Sequence, residues 1–576
     1  MKIENPPAGF EALEGAEIYR YGHLPVAAAF CRRLGLIDLV NSMVDTKMKL
    51  PPGEVVQAMV LDTLSQRSPL YRLESFLEEV DEELLMGKAV DAKAFGDVNI
   101  GRSMDAVFKS GPSKIVTALG IRATRIFALD TSAPSYDTTS TNVWGDYRSC
   151  ENDCPPEGSR ITYGYSKDHR PDLKQFMTEL LCVDRGVPIF GRNLDGNSSD
   201  QKSNNAMLTR ISSIMARHGL GEGAFVYVAD SAAVTEENLD TLGNNLFLSR
   251  LPARYNECGI AIERAVNADD WVSLGRLSEI KTTGSRPSAQ YKSFETTVTL
   301  YEKEYRALVV HSSTHDKRRQ KKCDRQIADS EKKINTALKK TPTLYACETD
   351  AKAAAAQIQK HSSRLHTVAA SVFPVEKRKP GRPPKEGSPA TRTHYEIKWE
   401  LSEQKEEIAR LRSIAGCFVL IANVPQEGGG KTMDSATLLR TYKGQYGVEN
   451  DFSFLKDPLI VNDTFLKTPS RIDVLGMVLI IALMVWRLME RSMRTYVENS
   501  GEPLPGWCDR PTNKPTSFMM SKAIVGITVA RKGRERHLLT RPAPRPSAFL
   551  KALGVSAAVY TDPHYQCTPV IPKKSA

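Results

Sequence analysis

The 576-residue chain reads as an α/β protein on three observations. A helix-period opening gives way between Ile126 and Val143 to β-branched, Thr-rich sequence that favours extended backbone. Leu173–Val183 and Val187–Phe190 are apolar, strand-length runs next to the turn residues Leu194-Asp195-Gly196-Asn197. Asn204–His218 is amphipathic at helical spacing, and Ala224–Ala229 is a short buried strand that ends on Asp230. Strands, a helix and a strand closing on a carboxylate make an α/β core.

The elements follow in order. Residues 1–118 form a helical N-terminal domain, with helix patterns over Ala27–Leu39, Val55–Gln66 and Leu70–Val80 broken by Pro51-Pro52 and Gly87. Residues 119–250 hold the first part of the core. Residues 251–430 read as a β-rich insertion. It contains a hairpin over Ser293–Ser312 with a charged turn, a basic helix over Lys317–Lys340, a Pro/Gly-rich basic linker over Glu376–Ser388 and a buried strand over Gly416–Val424. Residues 431–500 return to the core: one helix from the N-cap Asp434 through Lys456, and a buried helix over Ile472–Leu488. Residues 501–576, rich in proline and basic side chains, form a weakly patterned C-terminal tail.

With 41% hydrophobic and 25% charged residues, the composition excludes a disordered or fibrous chain. The net charge of +10 is local: residues 315–346 carry ten Lys/Arg against four Asp/Glu, and residues 373–392 carry six against two. Positive charge concentrated without an apolar face points to a nucleic-acid partner and away from a membrane. The apolar run Val474–Trp486 is shorter than the ~20 residues of a membrane span. The Met1 end, with Glu4 and Glu11, lacks a basic-then-apolar opening, so a cytoplasmic protein is expected. Ten scattered cysteines then read as reduced core residues, and Cys150 with Cys154 is a weak zinc signal.

Three acids stand out. Asp137 lies in Asp-Thr-Thr-Ser, Asp230 closes Phe-Val-Tyr-Val-Ala-Asp, and Glu449 lies on a helix in Tyr-Gly-Val-Glu-Asn-Asp-Phe. Carboxylates gathered on a rigid sheet repel one another unless a cation neutralises them, and oxygen ligands suit Mg2+ or Mn2+. Two such ions can serve the attacking and leaving oxygens of a phosphodiester displacement. Taken singly, an acid at a strand end reads first as a cap or a surface ion pair.

The segment Tyr442-x2-Gln445-x3-Glu449-x6-Lys456 resembles the Tyr-x2-Arg-x3-Glu-x6-Lys signature of the DDE transposases of prokaryotic insertion sequences. On one continuous helix these positions fall on or near one face. Gln445 stands where the family has arginine, and it brings a hydrogen bond without charge. Asp137-Thr138-Thr139-Ser140 with Gly145-Asp146-Tyr147 is similar to the first-aspartate motif. Gly164–Gln175 is a long match, and Ala229-Asp230-Ser231 leading to Glu237-Asn238-Leu239 resembles the second-aspartate strand and helix. The resemblance implies a ribonuclease H-like core interrupted by a β-rich insertion. It makes Asp137, Asp230 and Glu449 catalytic ligands of two Mg2+ or Mn2+ ions, with Tyr442, Gln445 and Lys456 against DNA. The implied activity is cut-and-paste transposition: hydrolysis at the element ends, then strand transfer of the 3′-hydroxyl into target DNA. The implied partners are double-stranded DNA and a second copy of the chain, as a homodimer on DNA, nucleoid-associated when bound.

Strand logic alone favours Asp130 as the first ligand, because it ends the run Ile126-Phe127-Ala128-Leu129, whereas the motif spacing favours Asp137, which we adopt. Lys379-Pro380-Gly381-Arg382-Pro383-Pro384-Lys385 resembles a minor-groove hook and reads equally as a basic linker. His169, Arg170, Asp172 and Lys174 fit either a DNA-facing role or a hydrogen-bonded turn. Two other functions compete: a nuclease of the same fold without strand transfer, and a catalytically inactive DNA-binding relative. The glycines at 428–430 precede Lys431, but Pro425 stands where a P-loop needs glycine.

Overall fold

The computed structural model describes residues 15–65, 72–145, 147, 158–221, 223–277, 288–378, 391–427, 431–456, 466–539 and 542–573, with the side chains at 200–202, 204, 446, 449 and 450 outside that set. It is a mixed α/β protein of two units, Met1–Ser249 with Ala422–Ala576, and Arg250–Ile421.

The first unit opens with seven helices among the described residues: α1 (Leu24–Leu34), α2 (Leu36–Met43), α3 (Pro52–Leu64), α4 (Leu73–Glu79), α5 (Glu82–Met86), α6 (Asp97–Ser110) and α7 (Pro112–Phe127). The single pattern expected over Ala27–Leu39 is two helices, parted at Gly35, whose φ of 64° closes α1. Proline in the first turn starts α1, α3 and α7, where its missing N–H leaves no helical bond unmade. α7 corrects the extended reading of Ile126–Leu129. Ile115, Leu119, Ala123 and Phe127 are buried at four-residue spacing, so Phe127 completes a helical stripe.

Five strands follow: β1 (Ser135–Val143), β2 (Lys174–Val183), β3 (Val187–Leu194), β4 (Val226–Ala229) and β5 (Leu246–Arg250), with α8 (Asp200–Arg217) and α9 (Glu236–Leu242) between β3 and β5. Their order across the sheet is β3-β2-β1-β4-β5. β1, β2 and β3 are antiparallel neighbours, whereas β4 runs parallel to both β1 and β5. β2 and β3 meet at the turn Asp184-Arg185-Gly186.

The second unit holds α10 (Asn256–Ala268), β6 (Val272–Arg276), β7 (Gln290–Leu300), β8 (Lys303–Ser312), α11 (Ser313–Leu338), α12 (Glu348–Gln359), β9 (His366–Arg378), β10 (Thr391–Glu403), α13 (Lys405–Ser413) and β11 (Cys417–Ala422). β7 and β8 form the expected hairpin, with Tyr301 and Glu302 at positive φ in its turn. β9 and β10 pair along their whole length, and Ile334, Leu338, Ala351, Ala355, Ile358, Val368 and Ile397 make the core beneath them. The charged face of α11 is exposed.

The first unit resumes with α14 (Ser435–Gly444), α15 (Tyr446–Leu455), α16 (Pro469–Ser500), α17 (Ser517–Ile524) and α18 (Pro544–Ala552). α16 packs on β3 and on α1, α3, α6, α7 and α15, so one element joins the N-terminal helices to the sheet. At Gly476 its backbone comes so close to β3 that a Cβ would stand 2.5 Å from the Asn193 amide. By length and composition α16 could cross a membrane, yet 89% of its most apolar window is buried inside the fold.

The described residues of 501–573 are folded into this unit, although their sequence is weakly patterned. Val529–Lys532 pairs with Glu17–Tyr19, the Tyr560 hydroxyl donates to the Gly22 carbonyl, and Arg536 donates to both carboxylate oxygens of Asp81 at 2.5 and 2.7 Å. The partners of this segment lie at the far end of the chain, so local periodicity carries no sign of them.

Candidate functional site

Asp137 is the third residue of β1, and Asp230 follows the last residue of β4. Ser135 pairs with Val228 across these parallel strands. Two residues further along, that register sets Asp137 level with Asp230 on one face of the sheet, on strands about 4.8 Å apart. Asp137 is half-buried and Asp230 exposed. Each takes a backbone N–H onto one oxygen, Thr138 at 2.7 Å and Ser231 at 2.6 Å. Tyr227 lies within reach of both charges: burial first, then the carboxylates of Asp137, Glu179 and Asp230, hold its phenol far above the usual range.

Asp130 is no strand residue. It sits in the turn after α7 and accepts from the Ser132 N–H at 2.9 Å, whereas Asp137 lies within β1. The two readings of the first ligand diverged because an apolar helix end resembles a strand.

Glu449 lies on α15, which packs on β1 and β2. The face is fixed by Asp451, fully buried, which accepts from Cys182 Sγ at 3.4 Å. Cys182 is the cross-strand partner of Ser135, so α15 covers the face that carries Asp137. Asp451 is also bonded to Arg487 of α16 at 2.5 Å, and burial pushes its carboxyl up to about 7 against the pull of that guanidinium. Gly447 seats the start of α15 on the β2–β3 turn: a Cβ there would meet the Gly186 nitrogen at 3.2 Å. We expect Asp451→Ala to cost about 3 kcal/mol in chemical denaturation, because it strips Arg487, whose side chain is only 11% exposed, of its closest partner, with Glu490 at 3.2 Å limiting the loss. A loss under about 0.5 kcal/mol would deny Asp451 this anchoring role.

The helix expected from Asp434 through Lys456 is two helices. Asp434 caps the first, accepting from Thr437 N–H at 2.7 Å. At Gln445 the bonding tightens, with Gln445 N–H reaching Tyr442 O and Val448 N–H reaching Gln445 O across three residues instead of four. Tyr442 therefore belongs to α14, Gln445 to the joint, and Glu449 and Phe452 to α15, with Lys456 as its C-cap. The four motif positions, Tyr442, Gln445, Glu449 and Lys456, do not share one straight helix. Tyr442 and Gln445 are half-buried.

Lys456 is placed against Asp168, with its ammonium 2.7 and 2.9 Å from the two carboxylate oxygens. Asp168 also accepts from the Asn142 amide at 3.3 Å. The preceding residue, Lys167, donates to the Thr138 carbonyl at 2.6 Å and stands 3.9 Å from Asp137 Oδ1. The motif around residues 164–175 thus brings a cation beside the first aspartate and ties the end of α15 to β1. Sequence reasoning weighed His169, Arg170, Asp172 and Lys174 there and passed over Lys167 and Asp168. The available signal was the lysine's place in a long motif next to a carboxylate strand. His169 is at φ 58° in a turn closed by Ser166 O and His169 N–H, and Arg170 is forked onto Asp172, which is the turn reading of these residues. Lys379 and Arg382 lie outside the described residues, as do Cys150, Cys154 and the glycines at 428–430.

A family model described as "Domain of unknown function (DUF4277)" matches residues 16–121. That span covers α1 to α6 and part of α7. No curated protein matches the chain.

Among the described residues no three His, Cys, Asp or Glu side chains gather as a metal centre, and the Glu449 side chain is outside that set. Asp137 and Asp230 form an all-oxygen pair on one sheet face, a donor set that fits a hard divalent cation and not a thiophilic one.

Proposed function

We propose that the protein is a DDE-type DNA transposase that hydrolyses a phosphodiester at the ends of its own element and joins the freed 3′-hydroxyl to target DNA. The observation that carries this reading is the placing of Asp137 and Asp230 at one level on adjacent parallel strands, with the helix bearing Glu449 packed on the same face. The order β3-β2-β1-β4-β5, with only β2 opposed in direction, supports a ribonuclease H-like core. The separate unit Arg250–Ile421, which leaves the core after β5 and returns before α14, supports an insertion within it.

Asp137, Asp230 and Glu449 would hold two Mg2+ or Mn2+ ions, which supply charge for the attacking and leaving oxygens of an in-line displacement. Lys167 holds positive charge against Asp137, and Lys456 with Asp168 fixes α15 to β1 at the edge of the site. The N-terminal helices and the basic inserted unit would bind double-stranded element ends, with a homodimer holding two ends together.

The test is a joining assay. Full-length protein, Mg2+ and element ends that already carry a free 3′-hydroxyl are mixed with supercoiled plasmid. Joined product is expected. Cleavage of uncut ends without joining would make the protein a nuclease, and end binding without either reaction would make it an inactive relative.

Lys456 allows a second check. Its ion pair with Asp168 is partly exposed, so its loss should cost less than about 1 kcal/mol in stability. If the ammonium also serves a DNA phosphate, Lys456→Ala lowers the slope of log K against log salt by about 0.9. An unchanged slope with a lower melting temperature would confine Lys456 to a structural role.

A further inference from the structure

A cleft of about 880 Å3 opens beside the start of α15, where Gly447 and Val448 line it. Its other walls come from elements of the same unit: the turn Asp184-Arg185-Gly186, α14, α16 and Lys514. Ser135 and Cys182, which pair across β1 and β2, form its sheet side. Asp137 is two residues beyond Ser135 on the same face of β1, roughly 7 Å along the strand, so the cleft adjoins the candidate carboxylates. α14 turns one stripe toward it, Thr437, Arg440, Thr441 and Gly444 at helical spacing, and Tyr442 lies outside that stripe.

The lining carries more positive charge than its own acids answer. Arg487 and Arg494 are paired with Asp451 and Glu490, and Asp184 is paired with Arg491. Arg185 reaches Glu498, which lies outside the lining, at 2.6 Å. Arg440 and Lys514 are exposed, and no described carboxylate pairs with either. Lys443 adds another positive charge, against Asp130 as the remaining acid. The fold also holds these groups in place. Asp184 and Arg185 have φ of 41° and 70°, a left-handed region that few residues other than glycine enter. Asp184 secures that turn by accepting from the Asp130 N–H at 3.1 Å and from Arg491 at 3.0 Å. Arg494 donates to the Pro515 carbonyl at 3.1 Å, which ties the segment beside Lys514 to α16.

We infer that this cleft holds a short stretch of one DNA strand by its phosphates, next to the candidate carboxylates. The inference rests on the transposase reading for its biological setting and gives that site a channel for a single strand. Cations converging from several elements on one concave space attract a polyanion. A space of this size encloses a drug-sized ligand, so part of one strand enters it and a duplex does not. Among the described residues no aromatic side chain lines it, so bases find no ring to stack on and the contacts fall on the backbone. Binding in the cleft is therefore independent of sequence and of the bases themselves.

The test uses full-length protein and fluorescence anisotropy with three probes: the oligonucleotide dT12, an abasic phosphodiester chain of the same length and a random 20-base-pair duplex. Arg440→Ala and Lys514→Ala should each weaken binding of both single-stranded probes about fivefold at 0.1 M salt and lower the slope of log K against log salt by about 0.7, as one lost phosphate contact on a single strand requires. Duplex binding should change by less than about twofold. Both side chains are exposed, so neither loss should unfold the protein. Arg440→Lys keeps the charge and should keep the slope, and Lys522→Ala, at an exposed lysine of α17 outside the cleft, should leave the slope unchanged. An unchanged slope in both cleft variants, an equal fall in Lys522→Ala, or dT12 binding without binding of the abasic chain would each overturn the channel. So would ATP binding that Arg440→Ala abolishes while dT12 binding is retained, because the cleft would then belong to a mononucleotide. Cleavage is scored separately. An active enzyme whose cleft variants keep the wild-type slope sinks the channel alone, whereas a slope that falls in a protein that neither cleaves nor joins ends keeps the channel and sinks the transposase reading.

Discussion

Asp137→Ala, Asp230→Ala and Glu449→Ala are each expected to abolish cleavage of an element end while leaving end binding within about twofold of wild type. Asp137 and Asp230 stand at one register level on strands about 4.8 Å apart, where two negative charges are tolerable only with a cation between them or beside them. On the proposed reading, removing one carboxylate would delete a metal ligand outright, so the loss should exceed the about 10–100-fold that follows from disturbing a group that only supports a ligand. The proposed DNA binding would come mainly from Lys and Arg contacts to phosphates, and it should survive. Asp130→Ala is the internal control: its carboxylate caps a turn and should be dispensable for cleavage. Gel-shift and cleavage assays on one set of preparations measure both quantities.

The second large effect is on stability. Arg536→Ala should lower unfolding free energy by about 3–5 kcal/mol, because it leaves the Asp81 carboxylate buried without its forked partner. Asp81 is fully buried and Arg536 is 1% exposed, so solvent cannot replace the lost bonds. Burial alone would raise the Asp81 pKa, but the hydrogen bonds from Arg536 and the Leu84 N–H, with the charge of Arg531, outweigh it and hold the carboxyl below its ordinary value. The sign of the pH dependence follows. Asp81 contributes stability that is complete above its unfolded pKa, near 4, and is lost as pH falls through the lower folded value. Wild type should therefore lose more stability than Arg536→Ala on acidification below pH ~4. Denaturant melts at pH 7 and pH 3 check this. Equal acid sensitivity of the two proteins would show that the pair is not the linked group.

Much of the sheet was legible in the sequence. β2, β3 and β4 are runs of apolar or β-branched residues buried along nearly their whole length, which is what central strands require. Asp230 was legible because it closes such a run, whereas Asp137 was reached only through the motif spacing to Gly145-Asp146-Tyr147, strand logic alone having favoured Asp130. The boundary between α7 and β1 was not, since Ile126-Phe127-Ala128-Leu129 is equally apolar as a helix end and as a strand, and only the burial of Phe127 at helical spacing decides. The joint at Gln445 was hidden for a different reason. Gln445 keeps right-handed helical angles, so the sequence around it satisfies a helix pattern on both sides. The C-terminal segment was least legible. Arg536 and Tyr560 bond to Asp81 and Gly22, more than four hundred residues away, and no local period reports a partner at that distance.

The proposed ligation of a metal by Asp137 is tested most directly by changing the ligand atom. Asp137→Cys places sulfur where a carboxylate oxygen stood. Mg2+ is a hard ion that binds sulfur poorly, whereas Mn2+ accepts a softer ligand more readily. Asp137→Cys is expected to fail to cleave an element end in Mg2+ and to regain measurable cleavage in Mn2+, with wild type active in both. Equal activity of Asp137→Cys in the two metals, or the same metal switch produced by Asp130→Cys, would contradict it.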